Sequence, residues 1–128
     1  MRAEELRIGN LIYNGLGDPF KVNATTISEF SLGQAVLGEF KPIPLTVDRL
    51  KRFGFVKDDD GNYRIDLQTH YLELVPSNGY WYPAYIQVPE MSYQDEQRVG
   101  TNRIEFVHQL QNLYFALTGE ELKLNQES

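Results

Sequence analysis

One stretch, Phe106 to Leu124 (FVHQLQNLYFALTGEELKL), carries a clear helical period, and any fold for this chain must give that helix something to pack against. Leu110, Leu113, Tyr114 and Leu117 recur at the i, i+3, i+4, i+7 spacing that gathers side chains on one face of a 3.6-residue helix. Phe106 and Val107 extend that face backwards, while Gln109, Gln111, Asn112 and Ala116 are expected to meet water. Thr118-Gly119 reads as the stop, because Gly tolerates the left-handed conformation that ends many helices. The alternative reading of the β-rich run Arg103 to Val107 is a strand leading directly into this helix.

The rest of the chain is mostly strand-like. Leu6 to Tyr13 alternates in its second half and precedes a turn cluster, Asn14-Gly15-Leu16-Gly17-Asp18-Pro19. Phe20 to Val22, Thr25 to Phe30 and Gln34 to Leu37 read as short strands. Phe40 to Leu45, with Pro42 and Pro44, reads as an edge or an exit. Strands so closely spaced suggest a small SH3-like barrel or meander over residues 6–45. Thr46 to Phe55 predicts a short helix: Thr46 as cap, Asp48 in the first turn, Lys51 and Arg52 in the last, Gly54 as stop. Its core side would carry Val47, Leu50 and Phe53.

Two hairpins follow. Asp58-Asp59-Asp60-Gly61-Asn62 separates Phe55–Lys57 from Tyr63–Leu67, and Pro76-Ser77-Asn78-Gly79 separates Thr69–Val75 from Tyr80–Val88. Pro89 to Gly100 shows no pattern and reads as a loop. The expected fold is therefore α+β: an N-terminal SH3-like barrel or meander (6–45), a linking helix, then an antiparallel meander packed by the C-terminal helix (46–124). At 128 residues this is expected to form one compact domain, 1–128.

Composition narrows the function classes. There is no cysteine, which removes disulfides, zinc–thiolate sites and thiol nucleophiles and fits a reducing cytoplasm. No apolar run is long enough for a signal peptide or a membrane span. The net charge of −6 disfavours broad contact with a phosphate backbone, which needs a basic face.

No catalytic constellation is visible. The acidic run from Asp58 fails the EF-hand spacing, since the sixth and twelfth positions hold Tyr63 and Thr69, so it reads as a solvated turn rather than a metal site. His70 and His108 lie in unrelated settings and read as structural or surface residues. No cofactor is implied. The most suggestive stretch is Tyr80-Trp81-Tyr82-Pro83-Ala84-Tyr85. In a strand, Tyr80 and Tyr82 share one face while Trp81 and Tyr85 share the other, so both faces are aromatic. The ordinary reading is a strand covered on both sides. The sharper one makes Trp81, Tyr82 and Tyr85 an aromatic binding patch, with Arg64, Arg98 and Arg103 as its border.

Three motifs carry a resemblance: Leu6 to Tyr13 (LRIGNLIY), Pro42 to Thr46 with Arg52 to Phe55, and Val107 to Leu122 (VHQLQNLYFALTGEEL). In these the chain resembles a family of small proteins of Bacteroides-type gut bacteria and their phages and prophages, a family with no assigned activity. The resemblance implies a bacterial cytoplasmic or phage setting and transfers no functional residue. The leading expectation is a non-catalytic adaptor that binds a protein partner. The alternative is a nucleic-acid-associated protein whose SH3-like half gathers Arg7, Lys21, Lys41, Arg49, Lys51 and Arg52 into a basic patch. An enzyme built around His70 or His108 is the third.

Overall fold

The computed structural model describes residues 5–14, 16–31, 40–67, 69–87 and 97–123. It is mixed α+β, with two antiparallel sheets and a C-terminal helix. The chain divides into two compact units that interleave in sequence: Met1–Leu45 joins Phe106–Lys123, and Thr46–Glu105 forms most of the other.

The first unit holds a three-stranded sheet, β1 (Leu11–Tyr13), β2 (Pro19–Lys21) and β3 (Lys41–Pro42), in the order β2-β1-β3. No closed barrel forms from these strands. Asn14 builds the β1–β2 turn, its Oδ1 accepting from the backbone N–H of Leu16 and of Asp18. Pro42 sits in an edge strand, where a missing N–H is harmless. The stretch expected as a strand from Thr25 is instead helix α1 (Ala24–Ser31). Asn23 explains the difference. Its Oδ1 accepts from both the Thr26 N–H (2.9 Å) and the Thr26 hydroxyl (3.0 Å), an N-cap that outweighs the β-branched run. The strand expected over Gln34–Leu37 lies outside the described residues. Leu6, Ile12 and Val22 form the buried centre, with Phe20, Ile27 and Phe40 against it.

The C-terminal helix, α3 (Val107–Thr118), belongs to this first unit and contacts β1. Gly119 ends it at φ 73°, as the sequence predicts. The strand expected to precede it reduces to isolated bridges, Trp81 with Ile104 and Pro44 with Phe106. The buried face is rotated from the expected one: Val107, His108, Leu110 and Gln111 are buried, whereas Leu113, Tyr114 and Leu117 are half-buried.

The second unit opens with α2 (Val47–Arg52), capped by Thr46, whose hydroxyl accepts from the Arg49 N–H at 3.3 Å. Leu50 and Phe53 are buried, but Val47 is 39% exposed, contrary to its expected core role: a first-turn residue of so short a helix lies off the buried side. Five strands follow: β4 (Val56–Lys57), β5 (Tyr63–Asp66), β6 (His70–Ser77), β7 (Tyr80–Gln87) and β8 (Gln97–Gly100), paired antiparallel in that order. Both predicted hairpins are present. In the first, Asp58 Oδ1 accepts from the N–H of Asp60 and of Asn62, both at 2.9 Å, so that carboxylate stabilises its own turn. In the second, Asn78 and Gly79 both take positive φ (53° and 82°), the combination that a two-residue I′ turn requires. Of the stretch expected as a loop, residues 89–96 lie outside the described residues, and Gln97–Gly100 is a strand because β7 supplies ladder partners from Ala84 to Gln87.

Candidate binding face

Strand register decides which side chains share a face, because directly paired residues project to the same side. On one side of the five-stranded sheet lie Tyr63 and Leu74 opposite Pro83, and Leu72 opposite Tyr85. Trp81 shares this side, its ring edge-on to Tyr63 with centroids 5.7 Å apart. It is only 7% exposed, and its backbone bonds Ile104 in both directions. Tyr85 is half-buried and stacks on His70, with centroids 4.4 Å apart and planes 4° from parallel. This is a packed face, and it accounts for one histidine as well as for Trp81 and Tyr85.

The opposite side carries Arg64 paired with Glu73, Tyr71 with Ile86, Val75 with Tyr82, and Ser77 with Tyr80. Arg98 pairs with Ile86 from the other flank. Tyr82 is 38% exposed. The structure thus separates the three aromatic residues singled out from sequence: Tyr82 faces one way, Trp81 and Tyr85 the other. The three arginines suggested as a border all lie on this second side, Arg64 and Arg98 towards Tyr71 and Ile86 and Arg103 at Tyr80.

Each arginine has a defined posture. Arg64 lies over the Tyr71 ring, 4.7 Å from its centroid, and reaches Asp66 at 3.5 Å. Both members of that ion pair are largely exposed, so it contributes little and leaves the guanidinium accessible. Arg98 donates to Glu73 Oε1 at 2.5 Å. The Glu73 side chain is nearly buried, so removing Arg98 would strand a carboxylate on the sheet, and this arginine is structurally committed. Arg103 lies over Tyr80 at 4.0 Å. Among the described residues no carboxylate pairs with it. Stacked guanidinium–tyrosine pairs of this kind keep an apolar surface and a planar set of N–H donors side by side.

The remaining candidates fall elsewhere. Arg7, Lys21 and Lys41 belong to the first unit, and Arg49, Lys51 and Arg52 to the second. Arg7 is neutralised by Glu121, and Arg52 pairs with Asp48 at 3.3 Å one helical turn away. His108 is 1% exposed, with both ring nitrogens buried and without hydrogen-bond partners. Its nearest anion is Glu5, whose Oε1 stands 3.8 Å from Nε2, close enough for charge attraction but too far for a hydrogen bond. Burial lowers its pKa and the Glu5 carboxylate opposes that shift. A ring so enclosed cannot reach a substrate. No group of His, Cys, Asp or Glu among the described residues is arranged to hold a metal ion. Likewise, no helix there is long and apolar enough to cross a membrane.

Sequence reasoning reached the arginines and Tyr82 but not Tyr71, whose part in the face appears only with the β5–β6 register. Comparison of the chain with protein-family models, with curated proteins and with solved structures finds no match in any of the three.

Proposed function

We propose that this protein is a non-catalytic binding module that engages a protein partner through the tyrosine–arginine face of its five-stranded sheet. One observation carries the reading: exposed Tyr82 shares its face with two tyrosines that each hold an arginine on the ring, Tyr80 two residues away on β7 and Tyr71 in the row of Ile86, four residues further along. Tyr and Arg are the residues on which protein interfaces concentrate their binding energy, because each offers a large, fairly rigid contact area together with polar donors. The chain charge of −6 favours a protein over a polyphosphate as partner. A mobile-element setting in the bacterial cytoplasm is part of this reading, supported only by the resemblance of its sequence motifs to proteins of Bacteroides-type bacteria and their phages.

The test is a tagged capture from Bacteroides lysate with nuclease present, comparing the wild type with the double variant Tyr82→Ser, Arg103→Glu. A stoichiometric protein held by the wild type and lost by the variant is the expected result. Equal retention by both overturns the assignment of the face. Loss of recovery on nuclease treatment overturns the protein-partner reading.

A further inference from the structure

Resting on that binding face, we infer that its ligand is an extended acidic peptide: two carboxylates on either side of one apolar side chain. The argument is charge placement. Of the three arginines, Arg98 is committed to the nearly buried Glu73 carboxylate. Arg64 is held only by an exposed pair with Asp66, and Arg103 stacks on Tyr80 with no carboxylate on it among the described residues. Two accessible cations therefore remain, at separate points on the face.

Their spacing follows from the register. Arg103 sits over Tyr80, while the Arg64 guanidinium sits over Tyr71, in the row of Ile86, six residues further along β7 and one strand across. That is about 20 Å along the strands and about 5 Å across them. An extended peptide covers this separation in about six residues. Between the cations lie exposed Tyr82 and half-buried Val75, an apolar step on which one side chain can rest. The face thus reads acid, apolar, acid. A polyphosphate gains nothing from the apolar step of Tyr82 and Val75, so a peptide fits better.

The probe is the fluorescein-labelled peptide Gly-Glu-Ser-Leu-Ser-Ser-Ser-Glu-Gly, with counterparts carrying Gln or Lys in place of both Glu residues. Binding is read by fluorescence anisotropy and located by amide shifts in the ¹⁵N-labelled protein. The Glu peptide should bind at least about tenfold more tightly than the Gln peptide, weaken with added salt, and shift the amides of Val75 and Tyr82. Arg103→Glu should reverse the preference towards the Lys peptide, a gain that a misfolded variant could not show. If Glu and Gln peptides bind equally and both shift Tyr82, the acidic inference is overturned while the binding face stands. If no peptide shifts the face, the face is overturned as well. Displacement of the Glu peptide by a short oligothymidylate at lower concentration overturns it in favour of nucleic acid. Self-association that disappears in Arg103→Glu overturns it in favour of a second copy of this chain.

Discussion

Gln111→Met isolates a contact that patterning alone would place in water. Gln111 is 3% exposed, its Oε1 accepts the Leu11 N–H at 2.8 Å, and its Nε2 donates to the Gly9 carbonyl at 3.4 Å. One side chain of α3 thereby satisfies backbone groups on either side of Asn10, at the start of β1. Methionine keeps the length and bulk, so packing changes little, with less than about 1.5 kcal/mol expected from a near-isosteric exchange. The main loss is the short bond, which leaves a partly buried N–H without an acceptor at a cost of about 1–3 kcal/mol. The long bond adds little. We expect a loss of about 2 kcal/mol, which for a chain of this size lowers Tm by roughly 6–12 °C. Urea unfolding followed by far-UV circular dichroism gives the global value, and native-state hydrogen exchange gives the local one. Exchange at the Leu11 amide should accelerate at least about tenfold relative to Ile12, which lies within the sheet. A variant within about 0.5 kcal/mol of the wild type, with Leu11 exchange unaltered, would refute the assignment.

Three further outcomes follow from the same geometry. Leu110→Ala empties a fully buried position on α3 and should cost about 2–5 kcal/mol in the same urea assay, whereas Tyr82→Ser should stay within about 0.5 kcal/mol. Gly119→Ala places a side chain at φ 73° and should cost about 1 kcal/mol, a loss that Gly119→Asn should largely avoid. His108 is harder to protonate folded than unfolded, so its stabilising contribution is complete above its ordinary value of 6.5 and declines as pH falls through the lowered one. His108→Leu should therefore flatten the stability profile between about pH 7 and 5, and a wild-type-minus-variant difference that does not change with pH would sink that account.

What the sequence made legible was local. The Thr46 cap, the Asp58 turn, the Asn78-Gly79 turn and the Gly119 stop each depend on residues within four positions of one another, so short-range chemistry identifies them. What it hid was tertiary. Strand β8 has no alternation of its own and exists because β7 offers an edge. The buried side of α3 is turned because Gln111 answers the unpaired backbone around Asn10, a demand that no helical period contains. Helix α1 is the exception: its signal, Asn23 one residue before the helix begins, is local, but the β-branched Thr25-Thr26-Ile27 carries the opposite preference. The candidate site shows the same division. Alternation along β7 separates Tyr82 from Trp81 and Tyr85 without a structure, but joining Arg64, Tyr71 and Arg103 to Tyr82 requires the register.

Residues of the segments 6–13 and 107–122 meet in one polar network, and it bears on where function lies. Arg7 and Asn10 come from the first motif, and Gln111, Asn112 and Glu121 from the last. Arg7 donates to Asn112 Oδ1 at 3.2 Å and is paired with both carboxylate oxygens of Glu121. Asn10, fully buried, donates to the same Asn112 oxygen at 2.8 Å, and Asn112 donates to the Glu5 carbonyl. These polar groups satisfy one another and fasten residues 5–11 to the C-terminal helix, which leaves them little for a ligand. The Arg7 bond also lowers the Glu121 pKa. That contribution is present above the ordinary value of 4.5 and is lost as pH falls through the lowered one, with solvent screening limiting its size. Arg64, Tyr71, Tyr80, Tyr82 and Arg103 all lie outside the motifs. The two sets should therefore dissociate: Arg7→Ala should destabilise the first unit and leave affinity for the acidic peptide unchanged, while Tyr82→Ser should weaken binding at unchanged stability. Loss of peptide binding in folded Arg7→Ala would show that the motif network, and not the sheet face, meets the ligand.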